Sequence, residues 1–397
     1  MTFDVAVVGA GIVGLATARE LSRRYPDRDI LVVEKETKIA QHQSGNNSGV
    51  IHSGIYYEPG SLKATNCKAG RELLVAYCEE KGIAHEVCGK IIVAVEESER
   101  GRLRDIKQRG TENGIRCKSI LREEIQDYEP HAVGVEALHV PDAGIADYTG
   151  VAEAIANDIY AEDNRIEFGA TVTAVQQSTS EVTLETTSGD FTAKYMVNCA
   201  GLFSDKICKM TGVDPGVQIV PFRGEYYELL PESRHLCKNL IYPVPDPAYP
   251  FLGVHFTRMF DGRVECGPSA IMGFAREGYS LGQIKVGELW ETIRYPGFRK
   301  MSAAHWKKGV TELRQSMSKG YYVKTMRKLI PSVQKSDVKR AGAGVRAQAL
   351  LPDGSMLHDF LFKETDRVVN VCNAASPAAT ACLSVGKHVA DRLAVRF

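Results

Sequence analysis

Two continuous apolar runs, with a helical stripe between them, open the chain. Residues 5–8 read Val-Ala-Val-Val and residues 30–33 read Ile-Leu-Val-Val, which is typical of central parallel strands covered on both faces. Between the two runs, Leu15, Ala18 and Leu21 recur at helical spacing. The pattern predicts a strand, a helix and a second strand at the start of the chain.

Hydrophobic periodicity predicts further elements along the rest of the chain. Alternation over residues 166–176 and 182–187 predicts a hairpin. Ser376-Pro377 is expected to open a C-terminal helix that runs to Leu393, because proline suits a first helical turn and serine suits a cap. The other predicted helices cover residues 62–81, 99–113, 122–128 and 149–162. The other predicted strands cover residues 90–95, 194–201, 225–230, 251–257, 263–267 and 368–371.

Composition excludes several classes of protein. Of 397 residues, 44% are hydrophobic and 25% are charged, which argues against a disordered chain, a collagen-like repeat or a disulfide-rich miniprotein. The 49 basic and 49 acidic residues cancel, so a polycation that coats nucleic acid is not expected. The 10 cysteines form no C-x-x-C pair, and we expect reduced, buried thiols and no metal site. No cleaved signal and no bilayer-spanning stretch are predicted, so we expect a cytoplasmic protein.

A glycine motif follows the first predicted strand and opens the first predicted helix. In this G-x-G-x-x-G, Gly9 permits a tight turn, Gly11 leaves room for a pyrophosphate, and Gly14 lets the helix pack closely on the strand. The helix N-terminus favours phosphates. Glu34 ends the second strand, where a carboxylate can accept hydrogen bonds from ribose hydroxyls. The unit predicts a dinucleotide site, but it does not by itself separate NAD from FAD.

Several short blocks further along carry a family resemblance. The most specific are N-S-G-V-I-H-S-G-I-Y-Y at residues 47–57 and G-V-H-F-T at residues 253–257. On these blocks the chain resembles the L-2-hydroxyglutarate dehydrogenases, also called oxidases, within the D-amino-acid-oxidase-like superfamily of FAD-dependent oxidoreductases. Other matching blocks follow in the same order along the chain, at residues 35–36, 43–46, 89–94, 249–252, 267–268, 343–348, 359–360 and 373–380.

The resemblance implies an α/β fold of composite α+β character. A Rossmann-like FAD-binding domain is expected to be interleaved with a substrate domain built on an antiparallel sheet. The FAD-binding domain is expected to comprise residues 1–88, 148–217 and 340–397. The substrate domain is expected to comprise residues 89–147 and 218–339, the second of which includes a basic helical region.

The resemblance also implies FAD as the cofactor and a set of residues that hold it. Small residues in the 43–54 segment let the backbone approach a flat ring system, and the C-terminal helix would direct its N-terminus at the flavin. The expected cofactor-binding residues are Gly9, Gly11, Ile12, Val13, Gly14, Glu34, Lys35, Ser44, Asn46, Ser48, Gly49, Val50, His52, Val172, Ala200, Gly201, Gly344, Arg346, Ser376, Pro377, Ala378 and Ala379.

Oxidation of a 2-hydroxy acid needs a base for the hydroxyl proton and cations for the carboxylates. Histidine suits the first task, because its ordinary pKa lies near about 6.5. We expect His255 to be the base or the hydroxyl-orienting donor, and His52 to lie beside the isoalloxazine ring. Arg346 resembles the family's carboxylate clamp, since a guanidinium can bind a carboxylate in a bidentate manner. An ordinary structural histidine or ion pair is the alternative at each position.

The implied substrate is a dianion, so a second polar or cationic group must hold its distal carboxylate. The sequence does not rank the candidates for this role, which are Arg223, Tyr226, Tyr242, Arg258 and Lys90. The implied reaction takes L-2-hydroxyglutarate to 2-oxoglutarate, with a hydride passing from substrate C2 to flavin N5 and electrons leaving to a quinone or another acceptor.

Residues 285–340 carry 14 Lys and Arg against 4 Asp and Glu, a difference of 14 − 4 = +10 in a neutral chain. Aromatic residues are interleaved with these charges. The segment suggests peripheral contact with the inner face of the cytoplasmic membrane, which would suit electron delivery to a quinone. A solvated helical face is the alternative, and no nucleic-acid recognition module is present.

Three other functions stay open at this stage. The same flavin scaffold could act on another small polar substrate, such as an amino acid or glycerol 3-phosphate. A non-catalytic flavin-binding redox sensor would bind FAD without turnover. A nicotinamide dehydrogenase would not carry a yellow flavin.

Overall fold

The computed structural model describes residues 2–246, 253–280 and 282–397. Within these ranges no helix is long and apolar enough to cross a membrane. The helices are α1 (Ile12–Arg24), α2 (Leu62–Lys81), α3 (Arg100–Glu112), α4 (Ile125–Tyr128), α5 (Tyr148–Ala161), α6 (Ser204–Met210), α7 (Val286–Arg294), α8 (Pro296–Met317), α9 (Lys319–Met326) and α10 (Cys382–Ala394).

The strands belong to two large sheets and one small sheet. They are β1 (Thr2–Val8), β2 (Ile30–Val33), β3 (Val50–Ile51), β4 (His85–Glu86), β5 (Lys90–Ala94), β6 (Lys118–Leu121), β7 (Glu136–Val140), β8 (Gly144–Ala146), β9 (Arg165–Glu167), β10 (Val172–Gln177), β11 (Val182–Thr186), β12 (Phe191–Asn198), β13 (Gln218–Leu229), β14 (Leu240–Pro243), β15 (His255–Arg258), β16 (Val264–Gly267), β17 (Ile271–Met272), β18 (Val338–Leu350), β19 (Leu361–Glu364) and β20 (Val368–Asn373).

The first large sheet has a parallel centre. Its order is β10-β11-β12-β1-β2-β9, with β20 beside β12 and β19 beside β20. Strand β1 pairs in parallel with both β12 and β2, and α1 follows it at once. Leu15, Ala18 and Leu21 are fully buried, so the predicted strand–helix–strand unit is confirmed. The predicted hairpin is β10 and β11, whereas residues 165–167 form a separate strand beside β2.

The second large sheet is mostly antiparallel and has the order β17-β13-β16-β15-β14-β5-β7-β6, with β18 along β13. The pairing of β14 with β5 is parallel. The two sheets draw on the chain in the order of the predicted domain segments, but β18 crosses the expected boundary at residue 340. The domain boundaries stay a prediction. A small sheet, β3-β8-β4, joins the 50–51 segment to residues 85–86 and 144–146.

The C-terminal helix begins at Cys382 rather than at Ser376-Pro377, because residues 376–381 form turns in which the Ala381 amide bonds the Pro377 carbonyl. The Ser376 side chain bonds the Tyr57 hydroxyl instead of capping the helix. Residues 249–252 of the resemblance lie outside the described residues, as does the start of the predicted 251–257 strand.

Helix α10 lies against α1 through a backbone contact that only glycine allows. A Cβ on Gly386 would lie 2.6 Å from the carbonyl carbon and oxygen of Ala16. We expect Gly386→Ala to lower the free energy of unfolding by about 1–3 kcal/mol, because two packed backbones would have to separate. Denaturant unfolding of the purified protein measures this change.

Gly309 provides the matched control. It lies on an exposed part of α8, and a Cβ there would meet nothing within 4 Å. Gly309→Ala should leave stability unchanged or raise it by up to about 1 kcal/mol through helix propensity. Equal destabilisation by the two changes would contradict the proposed contact between α10 and α1.

Candidate active site

A cavity of about 1490 Å³ connects the glycine motif to the second sheet. It is lined by the last residues of β1 and β2, by most of the 40–48 segment and by one face of the second sheet. The carboxyl ends of parallel strands are the usual place for a ligand in such a fold. The cavity therefore begins where the motif predicts a dinucleotide and ends on a different sheet.

Close backbone contacts fix the motif end of the cavity. Gly9 has φ +105°, and a Cβ on it would lie 2.6 Å from the Cys199 carbonyl oxygen. A Cβ on Gly14 would lie 2.0 Å from the Gly9 carbonyl oxygen. The Glu34 carboxylate accepts a hydrogen bond from the Ala10 amide at 2.7 Å. Glycine at both positions thus allows α1 to begin directly beside the strand ends.

The structure brings nearly all of the expected cofactor residues to this cavity. The exceptions are Gly14, which packs inside the motif, and Gly49, whose backbone has φ +65° beside Met259. The residues that line the cavity are Gly9, Gly11, Ile12, Val13, Glu34, Lys35, Ser44, Asn46, Ser48, Val50, His52, Val172, Ala200, Gly201, Gly344, Arg346, Ser376, Pro377, Ala378 and Ala379.

A charged network that the sequence did not reveal borders the same end. His42 Nε2 lies 2.8 Å from Glu36 and 2.9 Å from Glu277, and Lys35 Nζ lies 2.6 Å from Glu277. Glu36, His42 and Glu277 have the spacing of metal ligands, but the Lys35 ammonium already supplies a positive charge there. Burial alone would raise the pKa of Glu277, yet its bonds to His42 and Lys35 outweigh burial and lower that pKa to about 2. The network joins the 35–42 segment to residue 277, a pairing that no local pattern reports.

Strand register places a row of side chains at the other end. Leu240 pairs with Thr257 and His255 pairs with Gly267, so Tyr242 and His255 are neighbours, with ring centroids 4.1 Å apart. On the next strand Tyr226 lies beside Gly267, where a Cβ would be 2.8 Å from its ring. Because side chains alternate across a strand, Tyr242, His255 and Tyr226 lie on one face, and all three line the cavity.

The hydrogen bond of His255 fixes its tautomer. Its Nδ1 lies 2.9 Å from the Gly253 carbonyl oxygen, which can only accept. A neutral His255 therefore carries its proton on Nδ1 and presents Nε2 as an acceptor. Burial lowers the pKa of His255 to about 3, and the nearby Arg346 and Lys90 charges act in the same direction. The imidazole is neutral near pH 7 and can accept a proton.

His52 and Arg346 reach the same place from other elements. His52 follows β3, and its amide donates to Thr380 Oγ1 at 3.0 Å. Burial lowers the pKa of His52 to about 3, with Lys90, His255 and Arg346 adding to the effect. Arg346 lies on β18 opposite Phe222 and lines the cavity. Two neutral imidazoles and a guanidinium thus meet at this end of the cavity, the part lined by His52, His255 and Arg346. We call this part the chamber.

The structure separates the candidates for the second polar site. Tyr226 and Tyr242 line the cavity. Arg223 does not, and its guanidinium lies 2.8 Å from Glu225. Arg258 does not either, and it pairs with Glu86 at 2.8 Å.

Sequence reasoning missed other groups at this end. Tyr56, Tyr57 and Lys63 line the cavity. The Tyr56-Tyr57 pair stands inside the most specific resemblance block, which is the one signal that could have found it.

The chain was compared with protein families and with known proteins. The model of the FAD-dependent oxidoreductase family, DAO, matches residues 4–392. The chain is 46% identical over 399 residues to the L-2-hydroxyglutarate dehydrogenase of Indibacter alkaliphilus, covering all of both chains. It is 40% identical to that of Escherichia coli K12 over 392 residues, 98% of this chain and 93% of the relative. It is 41% identical to the human mitochondrial L-2-hydroxyglutarate dehydrogenase over 414 residues, 100% of this chain and 89% of the relative.

Solved structures show the same fold. The dithionite-reduced L-alpha-glycerophosphate oxidase from Mycoplasma pneumoniae, with FAD bound, has a TM-score of 0.81 at 24% identity over 99% of this chain and 94% of that one. Glycine oxidase from Geobacillus kaustophilus has a TM-score of 0.74 at 18% identity over 100% and 95%. At these identities the likeness concerns the fold alone.

The charged network generates a prediction about cofactor retention. Glu277→Gln removes a carboxylate that bonds both Lys35 and His42. We expect FAD to dissociate about 10-fold faster, because a charge-assisted contact across the cavity rim is lost. The FAD-loaded protein is diluted into buffer, and the rise of flavin fluorescence with time measures the rate at which FAD is released.

Glu153→Gln is the control, since Glu153 is an exposed residue of α5 that does not line the cavity. Its FAD release rate should match that of the unmodified protein. An unchanged release rate in Glu277→Gln would show that the network does not retain the cofactor.

Proposed function

The chain belongs to the family of FAD-dependent oxidoreductases, and from that premise we propose that it oxidises L-2-hydroxyglutarate to 2-oxoglutarate. The observation that carries the proposal is the chamber in which two neutral imidazoles, His52 and His255, meet the guanidinium of Arg346. A 2-hydroxy acid needs a proton acceptor and a carboxylate clamp. The relatives named L-2-hydroxyglutarate dehydrogenase, which match this chain over its full length, support this choice of substrate.

The residues present fit FAD. Gly11 caps α1 without a side chain and lines the cavity, so phosphate oxygens can approach this helix N-terminus. The Ile12 amide already donates to Ser44 Oγ at 2.8 Å. Glu34 lines the cavity where the ribose is expected. Gly344 approaches the Asn46 carbonyl so closely that a Cβ would lie 2.8 Å from it, so these two parts of the cavity wall pack together without a side chain between them. When bound, FAD supplies the two-electron acceptor for the hydride from substrate C2.

The chain's own residues divide the remaining work. Arg346 binds the substrate carboxylate next to C2 and fixes its angle. His255 accepts the hydroxyl proton at Nε2, because Nδ1 is committed to Gly253. The negative substrate offsets the positive charge of Arg346 and so raises the pKa of His255, which strengthens the base when substrate is bound. His52 completes the wall and excludes water from the reacting atoms.

Two other functions remain to be separated by experiment. The same chamber could take an amino acid or glycerol 3-phosphate, substrates that need a base and an anion clamp as well. A redox sensor would bind FAD and show no turnover.

Anaerobic titration tests the proposal. L-2-hydroxyglutarate should bleach the absorbance of bound FAD, while amino acids and glycerol 3-phosphate should not. His255→Asn should retain FAD and reduce the rate of bleaching about 10²- to 10⁴-fold, because the proton acceptor is lost. Bleaching by an amino acid alone would contradict the substrate, and bleaching by none of the compounds would favour the sensor.

His388→Asn is the matched control. His388 lies on α10 against Phe362 and Arg392 and does not line the cavity. This variant should bleach at the unmodified rate. A loss equal to that of His255→Asn would indicate a general effect of histidine removal.

We further propose that electrons leave to a quinone and that α7 and α8 contact an anionic membrane surface. On α7 the exposed apolar residues Val286, Trp290 and Ile293 are spaced as one helical face. On α8 the residues Trp306 and Met317, which are 61% and 68% exposed, belong to a similar face; its other members are Val310 and Leu313. An apolar face directed at solvent on a basic segment is typical of interfacial helices.

Cations lie beside the two tryptophans. Arg294 lies over the Trp290 ring at 4.8 Å and Lys307 over the Trp306 ring at 5.9 Å. Such pairs suit a surface that offers both acyl chains and anionic headgroups. The proposal places the protein in the cytoplasm, on the inner face of the membrane.

Vesicle sedimentation tests this contact. The FAD-loaded protein should bind vesicles that contain phosphatidylglycerol and should be released by high salt, because about 1 kcal/mol per basic residue comes from the surface potential. A double change, Trp290→Ala with Trp306→Ala, should abolish binding and preserve bleaching by substrate. Tyr160→Ala, which removes an exposed aromatic residue of α5, is the control. Equal binding by the double variant would contradict the membrane contact.

A further inference from the structure

A buried lysine, Lys90, lies behind the wall of the chamber. Lys90 is the charged residue of the buried strand β5 and is 2% exposed. Among the described residues no carboxylate oxygen lies within 4.0 Å of its Nζ. A buried ammonium without a counter-charge is costly. An anion bound nearby would offset this cost.

Two tyrosine rings separate this ammonium from the chamber. Lys90 Nζ lies 4.5 Å from the centre of the Tyr56 ring and 5.0 Å from that of Tyr242. Ile92 pairs with Tyr242, so alternation places Lys90 on the same face of the sheet as Tyr242. Both tyrosines line the cavity. The electrostatic field of the Lys90 ammonium therefore reaches the chamber across the rings of Tyr56 and Tyr242.

The hydroxyls of these tyrosines are available as donors. In the described part of the chain the buried Tyr56 hydroxyl has no hydrogen-bond partner, and that of Tyr242 has only Thr257 beside it. Burial raises the pKa of both phenols, so both stay protonated. A buried hydroxyl that lines a cavity and lacks a partner indicates a polar ligand.

We propose that Tyr56, Tyr242 and Lys90 form the subsite for the second carboxylate of the substrate. The two hydroxyls donate hydrogen bonds to it, and the ammonium behind them neutralises its charge. The inference rests on the proposed function, in which Arg346 holds the carboxylate next to C2. It makes Lys90 a positioning residue that selects a dicarboxylate over a monocarboxylate of equal length, because the monocarboxylate leaves the donors unpaired.

Binding without turnover measures the subsite directly. Glutarate and pentanoate have equal length and differ in the second carboxylate, and each can be titrated into the FAD-loaded protein while flavin absorbance is followed. Lys90→Met should weaken glutarate binding about 10- to 100-fold and leave pentanoate within about two-fold. Tyr56→Phe should act in the same direction with a smaller effect. Lys90→Arg should restore part of the glutarate affinity.

Lys206→Met is the matched control. Lys206 also lines the cavity, but it lies on α6 and pairs with Glu291 at 2.9 Å. This variant should bind both anions as the unmodified protein does. Equal weakening of glutarate and pentanoate by Lys90→Met would show a structural role, and no weakening of either would also overturn the subsite.

A pH series adds a readout that a structural role would not move. Burial lowers the pKa of Lys90 to about 7, so glutarate affinity should fall as pH rises through 7 and the ammonium is lost. Lys90→Arg keeps its charge and should not show this fall. The other titratable groups that face Lys90 are His52, His255 and Cys67, and the Arg346 guanidinium is the other charged group there. Burial lowers the pKa of both histidines to about 3 and raises that of the Cys67 thiol to about 12, so none of the three titrates near pH 7. Lys63, with a pKa lowered by burial to about 8, is retained in the arginine variant.

The two proposals fail in different ways. If L-2-hydroxyglutarate does not bleach the unmodified protein, the proposed function fails whatever glutarate does. If it bleaches the unmodified protein while Lys90→Met keeps the full preference for glutarate over pentanoate, the subsite alone fails.

Discussion

Strand register in the second sheet is the constraint on which the site depends. Side chains alternate across a strand, so a slip of one residue would send His255 to the opposite face and remove it from the cavity. The pairing of His255 with Gly267, and the space that Gly267 leaves for the Tyr226 ring, hold that register locally. The first sheet contributes a different constraint, because its glycines allow α1 to begin against the strand ends. The cavity exists because the two sheets meet these conditions together.

Burial then determines the chemistry of the chamber. Removing His52 and His255 from water lowers their pKa values, and the neighbouring positive charges act in the same direction. The result is a pair of neutral imidazoles in a positively charged environment, which favours an anionic ligand; in the proposed function, its arrival strengthens His255 as a base. The same consideration applies to Lys90, because its buried ammonium carries a free-energy cost that a nearby anion would reduce. Under the proposed function and the proposed subsite, affinity for a dianion and the basicity of His255 are therefore linked.

The sequence predicted the parts of this arrangement that are local. The strand, glycine motif, helix and Glu34 follow one another within 34 residues, so periodicity and turn chemistry suffice to predict them. His255 and Arg346 stood in short blocks that resembled a known family. The network of Lys35 and Glu277 could not be predicted in this way, because its members are distant in sequence and meet only through the tertiary fold. The start of α10 was wrong for a related reason: tertiary contacts of residues 376–381 outweigh the local preference of Ser-Pro for a helix start.

One rate measurement tests the central claim most directly. Stopped-flow reduction of the FAD-loaded protein can be compared for L-2-hydroxyglutarate, for the same acid deuterated at C2, and for the D enantiomer. The account predicts rapid reduction by the L acid, a clearly slower rate with deuterium at C2 and no reduction by the D enantiomer, because His255 and Arg346 fix one face of C2 toward the flavin. Reduction that does not distinguish the enantiomers, or that shows no isotope effect at saturating substrate, would contradict it.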